Sequence, residues 1–124
     1  MYFRRLCNNC NYRTGNSVML EKQIQKVILE YLQYLENGGQ LYFFRSGAGA
    51  MKLDSGRYFK TGKAGCPDIT VCIKGKFIGL EVKTDKGVQS VAQLNAQRQI
   101  EKAGGFYYIV TSVEEVEKII NQAR

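Results

Sequence analysis

The sequence predicts a mixed α/β domain, with a central sheet of parallel and antiparallel strands flanked by helices. Three observations predict it. Two β-rich runs, Ile69 to Ile73 and Phe77 to Val82, meet at Lys74-Gly75, a turn signal that folds them into an antiparallel hairpin. A helical stretch from Ser90 to Ala103 then leads to a further apolar run, Phe106 to Val110, and a strand reached through a crossover helix pairs parallel to its neighbour. A first helix opens the pattern and a last one closes it. The 124 residues suit one small domain with one core.

Residues 1–17 are polar, rich in Asn and Arg, and without periodicity, and read as a loosely ordered extension. Arg4, Arg5 and Arg13 are there for phosphates, or the segment is a plain disordered tail. The domain proper spans 18–124. Val18 to Glu36 reads as a helix, because Ile24, Val27, Ile28, Tyr31, Leu32 and Leu35 recur at helical spacing. Ser17 is its expected N-cap and Asn37-Gly38-Gly39 its stop. Glu21, two turns before Ile28, falls on the buried stripe, an unusual place for an acid. The helix dipole favours a carboxylate in a first turn but does not require the inner face.

Leu41 to Arg45 reads as a strand, Ser46 to Gly56 as a mobile loop, and Arg57 to Thr61 as a short strand. Arg45, Lys52, Arg57, Lys60 and Lys63 gather around the approach to Asp68, interleaved with Tyr42, Phe43, Tyr58 and Phe59. That is the pattern of a phosphate-gripping surface. The bland alternative makes the aromatics core and the cations a solvated face.

In the hairpin, a two-residue loop at Lys74-Gly75 and a four-residue loop from Ile73 to Lys76 give the same register. Either way Asp68 lies opposite Glu81, and Lys83 shares the face of Glu81. Like charges so placed repel. Two opposed carboxylates completed by water and substrate phosphate suit Mg²⁺, and the cation offsets the repulsion. Pro67 fits at the strand's start, where its missing N–H costs little.

Ser90-x-x-Gln93 forms a capping box for the next helix. Ala92, Ala96, Ile100 and Ala103 give it a small-residue face for close packing, and Gly104-Gly105 ends it. Phe106 to Val110, nearly all apolar, is expected to be a central strand buried on both faces. Ser112-x-x-Glu115 caps a last helix, with Val113, Val116, Ile119 and Ile120 facing the core.

A formal net charge of +7 favours an anionic partner, with nucleic acid first. No apolar run reaches the ~18 residues of a membrane span, no helix is strongly basic on one face, and no signal peptide is evident. A cytoplasmic protein is expected. There are four cysteines and no histidine. Cys7-x-x-Cys10 with Cys66 and Cys72 would be needed for a Cys₄ zinc site, but Cys72 is expected inside a strand, so reduced cysteines are the preferred reading.

Pro67-Asp68 followed by Glu81-Val82-Lys83 resembles the signature of the PD-(D/E)XK nuclease superfamily. The flanks narrow the match: Arg45-Ser46-Gly47, then Gly62 and Gly65-Cys66-Pro67-Asp68-Ile69, then Gly79-Leu80-Glu81-Val82-Lys83, Ser90-x-x-Gln93 and Gly104-Gly105. This order is similar to the virus-type replication–repair nuclease (VRR-NUC) domain, from about Met19 to Ile120. The resemblance implies a restriction-endonuclease-like α/β core and a metal-dependent, structure-selective DNA endonuclease of replication or repair, in a bacterial or virus-infected cell. It implies Asp68, Glu81 and the Val82 carbonyl as ligands to Mg²⁺, with Mn²⁺ able to substitute. Lys83 then orients the attacking water and steadies transition-state charge. Glu21 acts through water or on a second ion, and Gln93 lies near the active site. Stand-alone members of this type look like homodimers that resolve DNA junctions. The competing class is a non-catalytic DNA-binding module that keeps the nuclease fold.

Overall fold

The structure is a computed structural model and describes residues 20–124. Ser17, Cys7, Cys10, Arg4, Arg5 and Arg13 lie outside the described residues.

Helix α1 spans Glu21–Asn37, and its buried residues are the six of the expected stripe. It starts later than the Val18 expected. The residue before it is Leu20, whose backbone N–H donates to the Gln23 side chain at 2.9 Å. Glu21 is exposed, which corrects its expected place on the buried stripe. Being the first residue of a helix rather than its fourth, it precedes the turn in which the stripe meets the core.

Strand β1 is Tyr42–Arg45, β2 Gly49–Lys52, β3 Tyr58–Thr61, β4 Ile69–Ile73 and β5 Lys76–Val82. Helix α2 (Val91–Lys102), β6 (Phe106–Val110) and α3 (Val113–Ala123) follow. The main sheet has the order β1-β4-β5-β6, antiparallel except for the parallel β5–β6 pair. A separate ribbon pairs β2 with β3. The segment expected to be a mobile loop therefore contains a strand, with Ala50 opposite Lys60 and Met51 opposite Phe59. Four residues, Gly, Ala, Met and Lys, are too few for a period-2 signal to emerge from the sequence.

The β4–β5 hairpin turns on two residues, and Ile73 faces Lys76. Lys74 (φ 53°) and Gly75 (φ 76°) are both left-handed, as a type I′ turn requires. One face of the sheet carries Ile69, Val71, Ile73, Ile78, Leu80, Val82 and Val110, all packed with Ile24, Ile28, Tyr31, Leu32 and Leu35 of α1 and with Val116 and Ile120 of α3 in one core. The opposite face carries the alternate residues, among them Thr70, Gly79, Glu81 and Tyr107.

Two expectations fail in β6 and α2. Strand β6 lies at the sheet's edge among the described residues, not at its centre, and Phe106 and Ile109 are 41% and 40% exposed. Burial does not follow the alternation of the strand: Phe106 shares a face with the buried Val110, and Ile109 shares the other with the buried Tyr107, so each face is covered only in part. Helix α2 buries none of its residues, with Ala92 and Ala103 exposed and Ala96 and Ile100 half-buried. Its small side chains serve close approach at one end only. Gly65 (φ 75°) sits against the first turn of α2, where an added Cβ would collide with the Ala92 carbonyl.

Candidate active site

The site lies where β4 begins and β5 ends. Continuing the register past Ile69–Leu80 sets Asp68 opposite Glu81, as the hairpin argument requires. The Asp68 backbone is fixed first. Its carbonyl accepts from the Ser46 N–H at 2.9 Å and the Gly47 N–H at 3.3 Å. The Ser46 hydroxyl bonds the Pro67 carbonyl at 2.8 Å and pairs with the Thr70 hydroxyl at 2.7 Å. The Cys66 thiol donates to the Ser46 carbonyl at 2.8 Å. Gly79 allows Pro67 to lie directly on β5, since an added Cβ would fall 2.7 Å from the proline Cγ. The Asp68 carboxylate then accepts the Val82 N–H through Oδ2 at 2.8 Å.

Glu81 is only 3% exposed. Its Oε1 accepts from the Gln93 amide at 2.6 Å and lies 3.9 Å from the Lys83 ammonium, the outer limit of an ion pair. Its Oε2 is buried without a hydrogen-bond partner. Burial, and then the Asp68 charge, push the Glu81 carboxyl up to about 7, against the opposing pull of Lys83. Oε2 is therefore an acceptor that a cation would satisfy. The hydroxyl of Tyr107, on β6 opposite Gly79, is also buried without a partner. Burial and the Glu81 charge hold its pKa well above the ordinary phenol range.

Gln93 performs both roles open to it. Its Oε1 accepts the Ser90 N–H at 2.9 Å, completing the capping box, while its Nε2 donates to Glu81. One amide thus ties the start of α2 to the acidic pair.

The structure brings together Asp68, Glu81, Lys83, Gln93 and the Val82 amide. It does not bring Glu21 in: among the described residues no group of three or more acidic, Cys or His side chains is placed to share a metal ion. The five basic residues do not form one cluster at Asp68. Lys60 and Lys63 lie toward the base of the β2–β3 ribbon, which Cys66 and Gly62 hold against Ser46. Lys52 and Arg57 flank its far turn, closed by the Leu53 N–H on the Arg57 carbonyl. Arg45 points to the other face of the sheet, beside Phe43 and α1. Strand alternation from Phe43, which packs on the core, puts it there. Sequence reasoning assigned no role to Thr70 or Tyr107. An apolar strand gives no sign of which tyrosine turns to a neighbouring carboxylate, and only the β5–β6 register reveals it.

The pair fits Mg²⁺. That ion needs only one or two carboxylates when water and phosphate supply the rest, and the orphaned Oε2 is the acceptor a cation would satisfy. Among the described residues no helix is long and apolar enough to cross a membrane.

No family model matches the sequence, and no curated protein matches it. A solved structure described as a VRR_NUC domain matches the fold with a TM-score of 0.58 at 22% identity, covering 84% of this chain and 97% of that one. The chain therefore has the fold of a VRR_NUC domain.

Proposed function

We propose that this chain, with its VRR_NUC fold, is a Mg²⁺-dependent endodeoxyribonuclease that hydrolyses phosphodiester bonds in branched or otherwise structured DNA. The observation that supports it is the buried acidic pair, with Asp68 opposite Glu81, one Glu81 oxygen unpartnered, and Lys83 beside it. A structural role would not place two carboxylates against each other and leave one short of donors. A basic chain of net charge +7 suits a polyanionic substrate.

Asp68 and Glu81 would hold the ion, with the Val82 carbonyl as the third ligand that the family resemblance implies. When bound, Mg²⁺ polarises the phosphoryl group and lowers the pKa of a coordinated water. The chain's own residues do the remainder. Ser46, Gly47 and the Val82 amide fix Asp68 in place. Gln93 orients Glu81. Lys83 supplies positive charge where the transition state gathers negative charge, and positions the attacking water.

Cleavage of linear, nicked, flapped and four-way DNA, with Mg²⁺, with Mn²⁺ and with EDTA, tests the proposal. Metal-dependent cutting with preference for a branched substrate is expected. Asp68→Ala and Lys83→Ala should each lose at least ~100-fold in rate, the scale of one removed electrostatic group, with circular dichroism unchanged. Cutting that survives in either variant, or that needs no metal, overturns the assignment.

A further inference from the structure

We infer that α1 and β1 form a second anion site, a groove on the far side of the sheet from Asp68 that holds the sugar–phosphate backbone of the bound nucleic acid beyond the cleavage point. The choice of nucleic acid as occupant rests on the reading above. The groove has a volume of about 630 Å³ and an open mouth. Lys22, Lys26 and Arg45 line it, with Gln25, Phe43 and one acid, Glu30. Three cations against one anion leave it positive.

Its walls are fixed. The Glu36 carboxylate accepts the Phe43 N–H at 3.1 Å, joining α1 to β1 from below. Lys22 and Lys26 are four apart on the helix, so their heads rise on one face, with Cβ atoms ~5–6 Å apart. Arg45 faces them from the strand, and its planar fork matches two phosphate oxygens. Phe43 gives the floor an apolar surface for a sugar. An acidic peptide would find the same cations, but the groove's position favours a phosphodiester. Arg45 directly precedes Ser46 and Gly47, whose N–H groups hold the Asp68 carbonyl. Strand β1 is an edge of the sheet among the described residues. A strand passing over that edge from the acidic pair enters the groove beside Arg45.

The test is the salt dependence of binding. Fluorescence anisotropy of a labelled 20-base-pair duplex is followed with the full chain in EDTA, across a salt series. Lys22→Ala/Lys26→Ala should lower the slope of log affinity against log salt by about 2, and Arg45→Ala by about 1. Lys22→Arg/Lys26→Arg should restore it, and Lys102→Ala, at the end of α2, should leave it alone. An unchanged slope in the lysine pair overturns the inference, as does an equal fall in Lys102→Ala. Variants that weaken competition by polyglutamate and not DNA binding would also overturn it, in favour of an acidic protein partner. Because no metal is present, the groove and the nuclease fail separately. A lowered slope without any cleavage by wild type keeps the groove and removes the nuclease, and intact cleavage with an unchanged slope does the reverse.

Discussion

Glu81 carries an electrostatic conflict that fixes how stability must respond to pH. Its carboxyl is held above the ordinary 4.5, at about 7, by burial and by Asp68. The folded chain therefore binds that proton more tightly than the unfolded one. This contribution to stability is fully present below about pH 4.5 and is lost as pH rises through about 7. Glu81→Gln removes the charge and keeps an acceptor for Gln93, while its new amide can donate toward Asp68. At pH 8 and without metal it should melt higher than wild type. At about 1.4 kcal/mol per pKa unit the gain is on the order of 1–3 kcal/mol. At pH 4 the two proteins should melt together. Mg²⁺ should raise the wild-type melting temperature at pH 8 and barely move the variant. Calorimetry at both pH values checks this, and a Glu81→Gln protein less stable than wild type at pH 8 would remove the conflict on which the metal site rests. The opposition of Asp68 to Glu81 was legible in the sequence, because a two-residue turn fixes every pair in a hairpin. The exposure of Glu21 and the turn of Arg45 to the far face were not. Glu21 depends on where a helix begins, which the Leu20–Gln23 bond decides at a boundary the sequence marks only weakly.

Helix α2 depends on its first turn more than on its length. None of its residues is buried, so Gln93 and the contact with Gly65 are what hold its start to the sheet. The Ser90–Gln93 box was plain from the sequence. The shallow seating of the helix was not, because a stripe of Ala92, Ala96, Ile100 and Ala103 reads the same whether or not anything lies beneath it. Gln93 separates two effects. Gln93→Glu keeps an acceptor for the Ser90 N–H, and an acid suits a first turn, but it sets a third carboxylate against Glu81. Gln93→Ala loses both bonds, each worth about 1 kcal/mol. Gln93→Glu should therefore approach wild-type stability at pH 4 and fall well below it at pH 8. Gln93→Ala should be weakened similarly at both. Thermal melts at the two pH values give the comparison, and a Gln93→Glu protein with no pH-dependent loss would reduce the residue to a cap. The strands show the same division. Strands β4 and β5 followed from alternation and a turn, whereas β2 had no pattern to show, and the edge position of β6 is a fact about its neighbours rather than its composition.

At the scale of the molecule, the sheet's two faces differ in what covers them. The core face is closed by α1 and α3. On the site face, Tyr42, Phe44 and Phe77 remain exposed around Cys72, with Tyr42 63% accessible and its ring 6.3 Å from that of Phe44. Contiguous apolar surface of this kind is what a second copy would cover, and two cuts placed symmetrically on a junction need two sites related by a two-fold axis. The net charge of +7 works against that pairing. At 0.01 M ionic strength the screening length is about 30 Å, longer than the distance between facing surfaces, and at 0.15 M about 8 Å. Self-association should therefore strengthen with salt, opposite in sign to DNA binding, which weakens as counterions compete. Light scattering at 0.01 M and 0.3 M salt should show the average mass rising toward a dimer at the higher value. Phe44→Glu/Phe77→Glu should hold the chain monomeric at both, with the metal-binding response of the melting temperature intact. On a four-way junction the monomeric variant should nick one strand and lose the paired second cut. A wild-type chain that stays monomeric at high salt and high concentration would mean that any two-fold arrangement is imposed by the DNA, and that the exposed aromatics serve something other than a second copy.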